Sequence, residues 1–568
     1  METNADILKR LKETGEAPEW LTVNGYTMLS SGYFVEGETP KSMWYRVAKA
    51  GAIAAKMPHL EEDFFQILWK NWLCLASPVA ANLGTQRGLP ISCYGVHPGD
   101  STDSLKLKDR ELALLSKHGG GVGIGMGDIR PINTLIGRGG RSSGIKRFVK
   151  MYESTTIGIS QGSTRAGASA FWIPIEHGDF DYAIKCRLPE GDPYTQVRKM
   201  QHGVTISDKF MADMLNGNEE NRRRYQEVMA MRQRTGQPYI MYTDNVNNKN
   251  PLGYKNNKLA VSFSNICTEI TLFTDQRHSF ICCLSSMNLA RYNEWKDTNA
   301  VYLAVIFLDG VLNEFIDRAQ KIKGFENVVR SARKGRALGL GVLGFHSLLQ
   351  KEMTPVDSLR AKILNKAIFK KMLSDAQDAS RYLAEKQGEP EWCRGTGMRN
   401  SHLLAIAPTA SNSIISGELS PGIEFSAGNI VSERTAKGNF IRWNGVFRDF
   451  LRSVGRDTQD VWDIVVRDHG SCQNLDFMTA EQKKVFLTAY EIDQRVVIDL
   501  AADRQEYICQ SQSVNLFIGL DSMSPQEITE LHIEAWYRGI KTLYYVRPES
   551  TLKPDQASRG AECVACHA

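Results

Sequence analysis

The sequence is short of the features that mark secreted, membrane-spanning or nucleic-acid-binding chains. No stretch of 18 apolar residues occurs in 568, so no membrane-spanning helix is expected. The opening METNADILKRLKETGEAPEW has no apolar run of signal-peptide type. Eleven cysteines are too thin a scatter for a disulfide-stapled secreted fold. Lys plus Arg number 69 against 64 Asp plus Glu, a net charge of +5 without a basic block, which argues against a nucleic-acid partner. Neither a dinucleotide fingerprint nor a phosphate-cradling G-x-x-x-x-G-K-[ST] loop stands in its proper setting, and no simple repeat is present. No paired E-x-x-H set of di-metal type is found, so no metal site is expected in this chain. These absences leave a soluble enzyme, with the cytoplasm as its expected location.

What is present suits a large α/β protein. With 42% hydrophobic residues a sizeable core is available, and the length suggests about 2–4 units. Residues 1–24 read as a short polar N-terminal arm with one or two helical turns. Residues 25–75 read as a helical lead-in, with Met43, Val47, Ala50, Ala54 and Met57 near one face. Short apolar runs then alternate with glycine-rich turns and helical patterns; in one of the latter Leu359, Ile363, Ile368 and Met372 form a stripe. This alternation favours an α/β architecture, open sheet or barrel. GVGIGMG, from Gly121, reads as close backbone packing rather than a phosphate loop. The last residues are polar and aperiodic, and read as a flexible tail.

Two groups of residues suggest chemistry. In VSFSNICTEITLF, Asn265, Cys267 and Glu269 sit two apart among apolar neighbours. In an extended segment they share a side. Burying Asn and Glu by chance, without partners, would cost about 1–3 kcal/mol each, which favours a site. The second group is Cys563 and Cys566 in GAECVACHA. A terminal C-x-x-C can be a redox dithiol, half a zinc site with His567, or neither; a mobile redox pair needs only the two thiols, whereas a closed zinc site needs four ligands.

Several separated stretches, in order, resemble the large catalytic subunit of class I ribonucleotide reductase: SPVAANLGTQRGLPISC, KHGGGVGIG, NICTEI, CCLSSMNL, APTASNSIISG, DRQEYICQSQSVNLF, GIKTLYYVR and the terminal C-x-x-C. The resemblance implies a ten-stranded α/β barrel over residues 76–547 with a central finger loop, and a redox-active tail over 548–568. It implies that Cys267 carries a thiyl radical, that Glu269 takes the 3′-hydroxyl proton and that Asn265 holds the substrate oxygens. Cys93 and Cys282 would supply two electrons and become a disulfide, with Cys283 structural. Cys563 and Cys566 would reopen that disulfide, themselves reset by thioredoxin or a glutaredoxin-like protein. Tyr544 and Tyr545 would relay the radical from a separate metal-bearing small (beta) subunit, with no cofactor held tightly here.

The same resemblance implies that Thr409, Ser411, Asn412 and Ser413, with the Ala410 backbone, hold the substrate diphosphate at a helix start, and that Ser77, Ser92 and Gly121 lie against sugar and phosphates. A dNTP or ATP specificity effector would meet Asp100, Arg130 and the loop NTLIGRGGRSSG at a homodimer interface. Gln161 and Arg165 in QGSTRAGAS would carry its message to the substrate base. The matching region begins at Trp20, so the N-terminal regulatory domain of many relatives is expected to be missing. The implied activity is reduction of ribonucleoside diphosphates to 2′-deoxyribonucleoside diphosphates for DNA synthesis. A cobalamin-dependent reductase and a non-enzymatic zinc-tailed scaffold are the alternatives.

Overall fold

The computed structural model describes residues 2–549, except 160–166, 189, 191, 193, 436–437 and 520–521. Gln161, Arg165, Cys563 and Cys566 lie outside the described residues.

The N-terminal segment is more ordered than a polar arm. Thr3 and Asp6 form a capping box on a helix, Asn4–Glu13, whose Leu8 and Leu11 are buried. A second helix, Val23–Ser30, is capped by Thr22. Helices Pro40–Ala54 and Glu61–Trp69 follow and pack on the long buried helix Ala300–Ala319. One sequence-based stripe is corrected. In the helix Leu359–Gln387, Ile368 and Met372 are buried as expected, but Leu359 and Ile363 are exposed. The face that packs is continued instead by Ala361, Asn365 and Ala376, small or polar residues that a hydrophobic count passes over.

The sheet begins with an outlying strand β1 (Leu73–Leu75) and continues with β2 (Cys93–Val96), β3 (Gly121–Gly125), β4 (Ala168–Pro174), β5 (Gln201–Ile206) and β6 (Tyr239–Tyr242). Strands β2 to β6 pair in that order, all parallel. The long β7 (Phe280–Asn288) runs antiparallel to β2 at its start and parallel to β8 (Leu338–Leu343) further on. From β8 the circuit passes through parallel bridges Leu340–Leu404 and Ile406–Gln512. It closes where the Tyr544 N–H donates to the Val514 carbonyl at 2.8 Å and where β9 (Thr542–Leu543) pairs antiparallel with β6. Eight strands and two bridged segments thus complete the expected ring of ten. Two parallel sets of five meet antiparallel at two seams, β2–β7 and β6–β9.

Through this ring runs residues 261–274, without helix or strand yet almost wholly buried. Strand β3 makes room for it. A Cβ on Gly123 would lie 2.3 Å from the Ser264 carbonyl oxygen, one on Gly125 2.3 Å from the Phe263 ring, and one on Gly121 3.1 Å from Ile266. The alternating glycines are therefore the inward-facing positions of β3, as period-two geometry requires.

G123A is expected to push the buried loop out of place, lowering stability by about 1–3 kcal/mol. Gly137, with nothing within 4 Å of its Cβ position, is the control, and G137A should leave the urea midpoint unchanged. Equal midpoints for G123A and wild type would remove the close contact from the account.

Candidate active site

The threaded loop turns at Cys267–Thr268. Thr268 adopts φ +71°, a left-handed conformation that a β-branched residue rarely takes. Its buried hydroxyl has no hydrogen-bond partner among the described residues. Strain and an orphan polar group at one residue mark a functional turn held by its surroundings. The holding bonds are local and distant. Asn265 Oδ1 accepts from the Ile270 N–H at 3.1 Å, and the Ser264 hydroxyl donates to the Ile270 carbonyl at 2.7 Å. From the facing segment, the Ser511 N–H donates to the Glu269 carbonyl at 3.0 Å. The Ser513 hydroxyl donates to the Cys267 carbonyl at 2.5 Å and lies 3.4 Å from Glu269 Oε2.

Asn265, Cys267 and Glu269 line one cavity together with Cys93 and Cys282. The two cysteines are direct register partners across the β2–β7 seam. Opposed residues of an antiparallel pair have Cα atoms about 4.5–5.5 Å apart, inside the window for a disulfide of about 4.4–6.8 Å. Both are reduced thiols here. Asn265 Nδ2 donates to Cys93 Sγ at 3.0 Å, and Gln510 Nε2 donates to Cys282 Sγ at 3.3 Å. Cys283 points the other way, into the outer core.

Burial pushes the Cys93 thiol well above the ordinary thiol range, with Glu269, Cys282 and Cys267 adding to it and Asn265 opposing. Burial likewise raises Cys282, opposed by the hydrogen bond from Gln510. Near neutral pH both are therefore protonated, suited to giving up hydrogen rather than to acting as standing nucleophiles.

The other wall of the cavity is the turn Thr409–Asn412, which opens the short helix Ala410–Ile415, with Ser77, Ser92 and Gly121 nearby. The helix Val23–Ser30 packs behind it. Thr409 Oγ1 accepts from the Gly422 N–H at 2.7 Å. Ser413 does not line the cavity: its hydroxyl donates to the Ala410 carbonyl at 2.8 Å and its N–H to Thr409, because the fourth residue of a helical turn is the first whose N–H has an intrahelical acceptor.

Tyr544 and Tyr545 are buried with ring centroids 4.3 Å apart. Tyr239 from β6 contacts both, at 4.7 and 5.0 Å. They share the inner core with Cys267, Cys93 and Cys282. Asp100 and Arg130 lie outside the barrel and form an ion pair with each other, backed by the Arg130 N–H donating to Asp100 at 3.2 Å. The neighbouring hairpin, Leu135–Ile136 with Gly140–Arg141, exposes Leu135 and Ile136. Among the described residues no group of three or more His, Cys, Asp or Glu side chains could hold a metal ion, and no single helix is long and apolar enough to cross a membrane.

Sequence reasoning missed Gln510 and Ser513, which hydrogen-bond Cys282 and the threaded loop. The signal was available: Gln510, Ser511, Gln512 and Ser513 are four consecutive polar residues between Ile508–Cys509 and Val514, and all are buried.

The raised thiols give a pH expectation. A group lifted by burial is still neutral where a free cysteine, near 8.5, has ionised. Iodoacetamide labelling of Cys93 and Cys282, followed by peptide mass mapping, should therefore be slower than that of the unfolded chain at pH 8 and still rise through pH 10. A plateau near pH 8–9 would contradict the burial argument.

With this geometry in view, the similarities to known proteins are specific. The family model described as ribonucleotide reductase, barrel domain, matches residues 91–222, 220–396 and 391–546, and that described as ribonucleotide reductase, all-alpha domain, matches residues 19–88. The chain is 31% identical over 606 residues to the ribonucleoside-diphosphate reductase large subunit of Invertebrate iridescent virus 3, covering 94% of each chain. To the large subunit of Arabidopsis thaliana it is 26% identical over 623 residues, covering 92% of this chain and 75% of that one. Among solved structures it resembles the Actinobacillus ureae class Id ribonucleotide reductase alpha subunit, with TM-score 0.87 and 36% identity, over 94% of this chain and 98% of that chain. A ten-membered barrel threaded by a cysteine-bearing loop, with a thiol pair across one seam, accords with these matches, and the chain belongs to the ribonucleotide reductase family as a class I large subunit, a ribonucleoside-diphosphate reductase.

Proposed function

We propose that this chain reduces ribonucleoside diphosphates at the cavity between the loop tip and the β2–β7 seam, with the residue roles that follow. The supporting observation is the convergence of Cys267, Glu269, Asn265, Cys93 and Cys282 on one cavity. Cys267, as a thiyl radical, abstracts the 3′ hydrogen of the substrate; polar side chains alone cannot do this, and the radical is generated by the metal-containing small subunit. Tyr544 and Tyr545 relay it, and their contacting rings suit short-range transfer. Glu269 takes the 3′-hydroxyl proton, held by Ser513, while Asn265 orients the sugar oxygens. Cys93 protonates the departing 2′-hydroxyl, which leaves as water. C2′ then takes the Cys282 hydrogen, the 3′ oxygen regains its proton from Glu269, and Cys93 and Cys282, having given up two electrons to the sugar, become a disulfide. Finally Cys267 returns the 3′ hydrogen.

The turn Thr409–Asn412 receives the diphosphate, with Ser77, Ser92 and the Gly121 backbone against the rest of the nucleotide. Ser413 supports this turn from inside the helix. The Asp100–Arg130 pair and the exposed hairpin take the dNTP or ATP specificity effector at a homodimer interface, and Gln161 and Arg165 connect it to the base. Cys563 and Cys566 carry electrons from thioredoxin or a glutaredoxin-like protein. The family has viral and cellular members; the cytoplasm, that of the host for a viral source, is the proposed location. The sensed nucleotide selects the substrate base.

The deciding experiment is CDP turnover with a cognate small subunit, an effector dNTP and dithiothreitol. C267S should form no dCDP while still binding CDP, and Y544F and Y545F should each be inactive because phenylalanine cannot form a phenoxyl radical. E269Q should slow turnover by about 10²–10⁴-fold. Wild-type turnover in any of these would remove that residue from its role.

The double variant C563S/C566S should make about one product per active site when pre-reduced, then stop with thioredoxin as donor, because the inner pair can be spent once. Dithiothreitol should restore part of the rate. Many thioredoxin-driven turnovers counted by rapid quench would end the shuttle assignment.

A further inference from the structure

Behind the thiol pair stands a side chain that the proposed reaction leaves without a role. Gln510 is fully buried and lies outside the lining of the catalytic cavity. Its Nε2 donates to Cys282 Sγ at 3.3 Å and to the Leu338 carbonyl of β8 at 2.8 Å. Its Oε1 accepts from the Thr271 N–H of the threaded loop at 3.3 Å. Its own backbone is held too: the N–H donates to the Leu404 carbonyl at 3.1 Å, and its carbonyl accepts from Gln505 Nε2 at 3.1 Å. Every arm of the carboxamide is engaged, so it cannot swing away from the sulfur without breaking bonds to both the barrel and the loop.

The two thiols are unequal in their surroundings. Cys93 is 7% exposed and Cys282 1%. Behind Cys282 the wall is closed: a Cβ on Gly339 would lie 2.9 Å from its Sγ. The amide that touches Cys93 belongs to Asn265, which lines the cavity. The amide that touches Cys282 belongs to the wall, outside the cavity lining, and is bonded to the barrel and the loop.

We propose that Gln510 is a positioning residue that fixes Cys282 as the leaving thiol each time the Cys93–Cys282 disulfide is reopened, and that ties this thiol to the threaded loop. This rests on the reading of Cys93 and Cys282 as the electron-donating pair. An incoming thiolate from the cavity attacks Cys93 Sγ. A bond forms between the incoming sulfur and Cys93 Sγ, the Cys93–Cys282 bond breaks, and its electron pair goes to Cys282 Sγ, which faces an N–H already in place and then takes up a proton. A second thiol of the reductant displaces Cys93 as the reductant closes its own disulfide. Two electrons and two protons have then entered the pair, and the reductant is oxidised by two electrons. A leaving thiol departs faster when its anion is stabilised, and an amide donor does that where burial works against it. The Gln510 bond does oppose the upward push of burial on Cys282.

The test uses the full chain carrying C563S/C566S, so that the tail cannot reopen the inner pair, with its small subunit; it is oxidised by one turnover and then mixed with 2-mercaptoethanol, a reductant with a single thiol. Acid quenching and peptide mass mapping locate the mixed disulfide. With Gln510 in place it should sit on Cys93. In Q510L, re-reduction should slow about tenfold relative to that variant's own first-turnover rate, and adducts should spread to Cys282. Q510E keeps the shape and the acceptor for Thr271 while presenting a carboxylate to the sulfur; it should slow re-reduction at least as much, and it carries the test if Q510L is unstable. An adduct mainly on Cys282 with Gln510 in place, or an unchanged ratio of the two rates in both variants, would overturn the proposal. Steady-state thioredoxin-driven turnover in C93S or C282S would instead overturn the assignment of the pair itself.

Discussion

The close approach of two backbones, β3 and the loop that threads the barrel, is the constraint on which the site depends. A ring of ten strands has an interior too wide to be filled by its own inward side chains unless something enters it. Here a polar-tipped loop enters, and it can do so because β3 has no side chains on the side that faces it. Backbone inside a barrel must have its hydrogen bonds met. The Ser511 N–H and the Ser513 hydroxyl meet part of that need, as do bonds within the loop itself. Remove the glycines and the loop has no room; remove the polar segment and its carbonyls have no donors. The thiol at the tip inherits its position from both.

The same arrangement sets the electrostatics. Burial favours the protonated forms of Cys93 and Cys282, in a cavity where polar groups are already oriented by hydrogen bonds. The sulfur radical proposed at Cys267 would meet few competing hydrogen donors there apart from those held against it. Fixed amides at Asn265 and Gln510 replace solvent as the partners of the two sulfurs, so little reorganisation is needed when charge moves between them.

How much of this the sequence disclosed follows from the range of each interaction. Asn265, Cys267 and Glu269 were legible from their spacing because all three belong to one short segment among apolar neighbours. The glycines of β3 were legible as close packing, though not what they pack against. The pairing of Cys93 with Cys282 is a contact between residues far apart in the chain, and no local pattern contains it; only the family resemblance pointed to it. Gln510 and Ser513 were passed over inside a recognised stretch because glutamine and serine carry no chemistry until a structure supplies their partners. The outer stripe at Leu359 and Ile363 misled in the opposite sense, since a large apolar residue need not be buried, whereas Ala361 and Asn365 reach the contact because they are small or find a partner. The arm at residues 1–24 was read as polar because its three buried leucines are few, yet a capped helix needs only a narrow stripe to dock.

The β2–β7 seam has one more consequence. It is one of two lines along which the parallel halves of the barrel meet, and elsewhere on that line only hydrogen bonds and packing hold them. On the proposed reaction, a disulfide between Cys93 and Cys282 would be a covalent rivet across the joint, set and withdrawn once per catalytic cycle. The stiffness of the shell along that seam would then keep time with the oxidation state of two sulfur atoms.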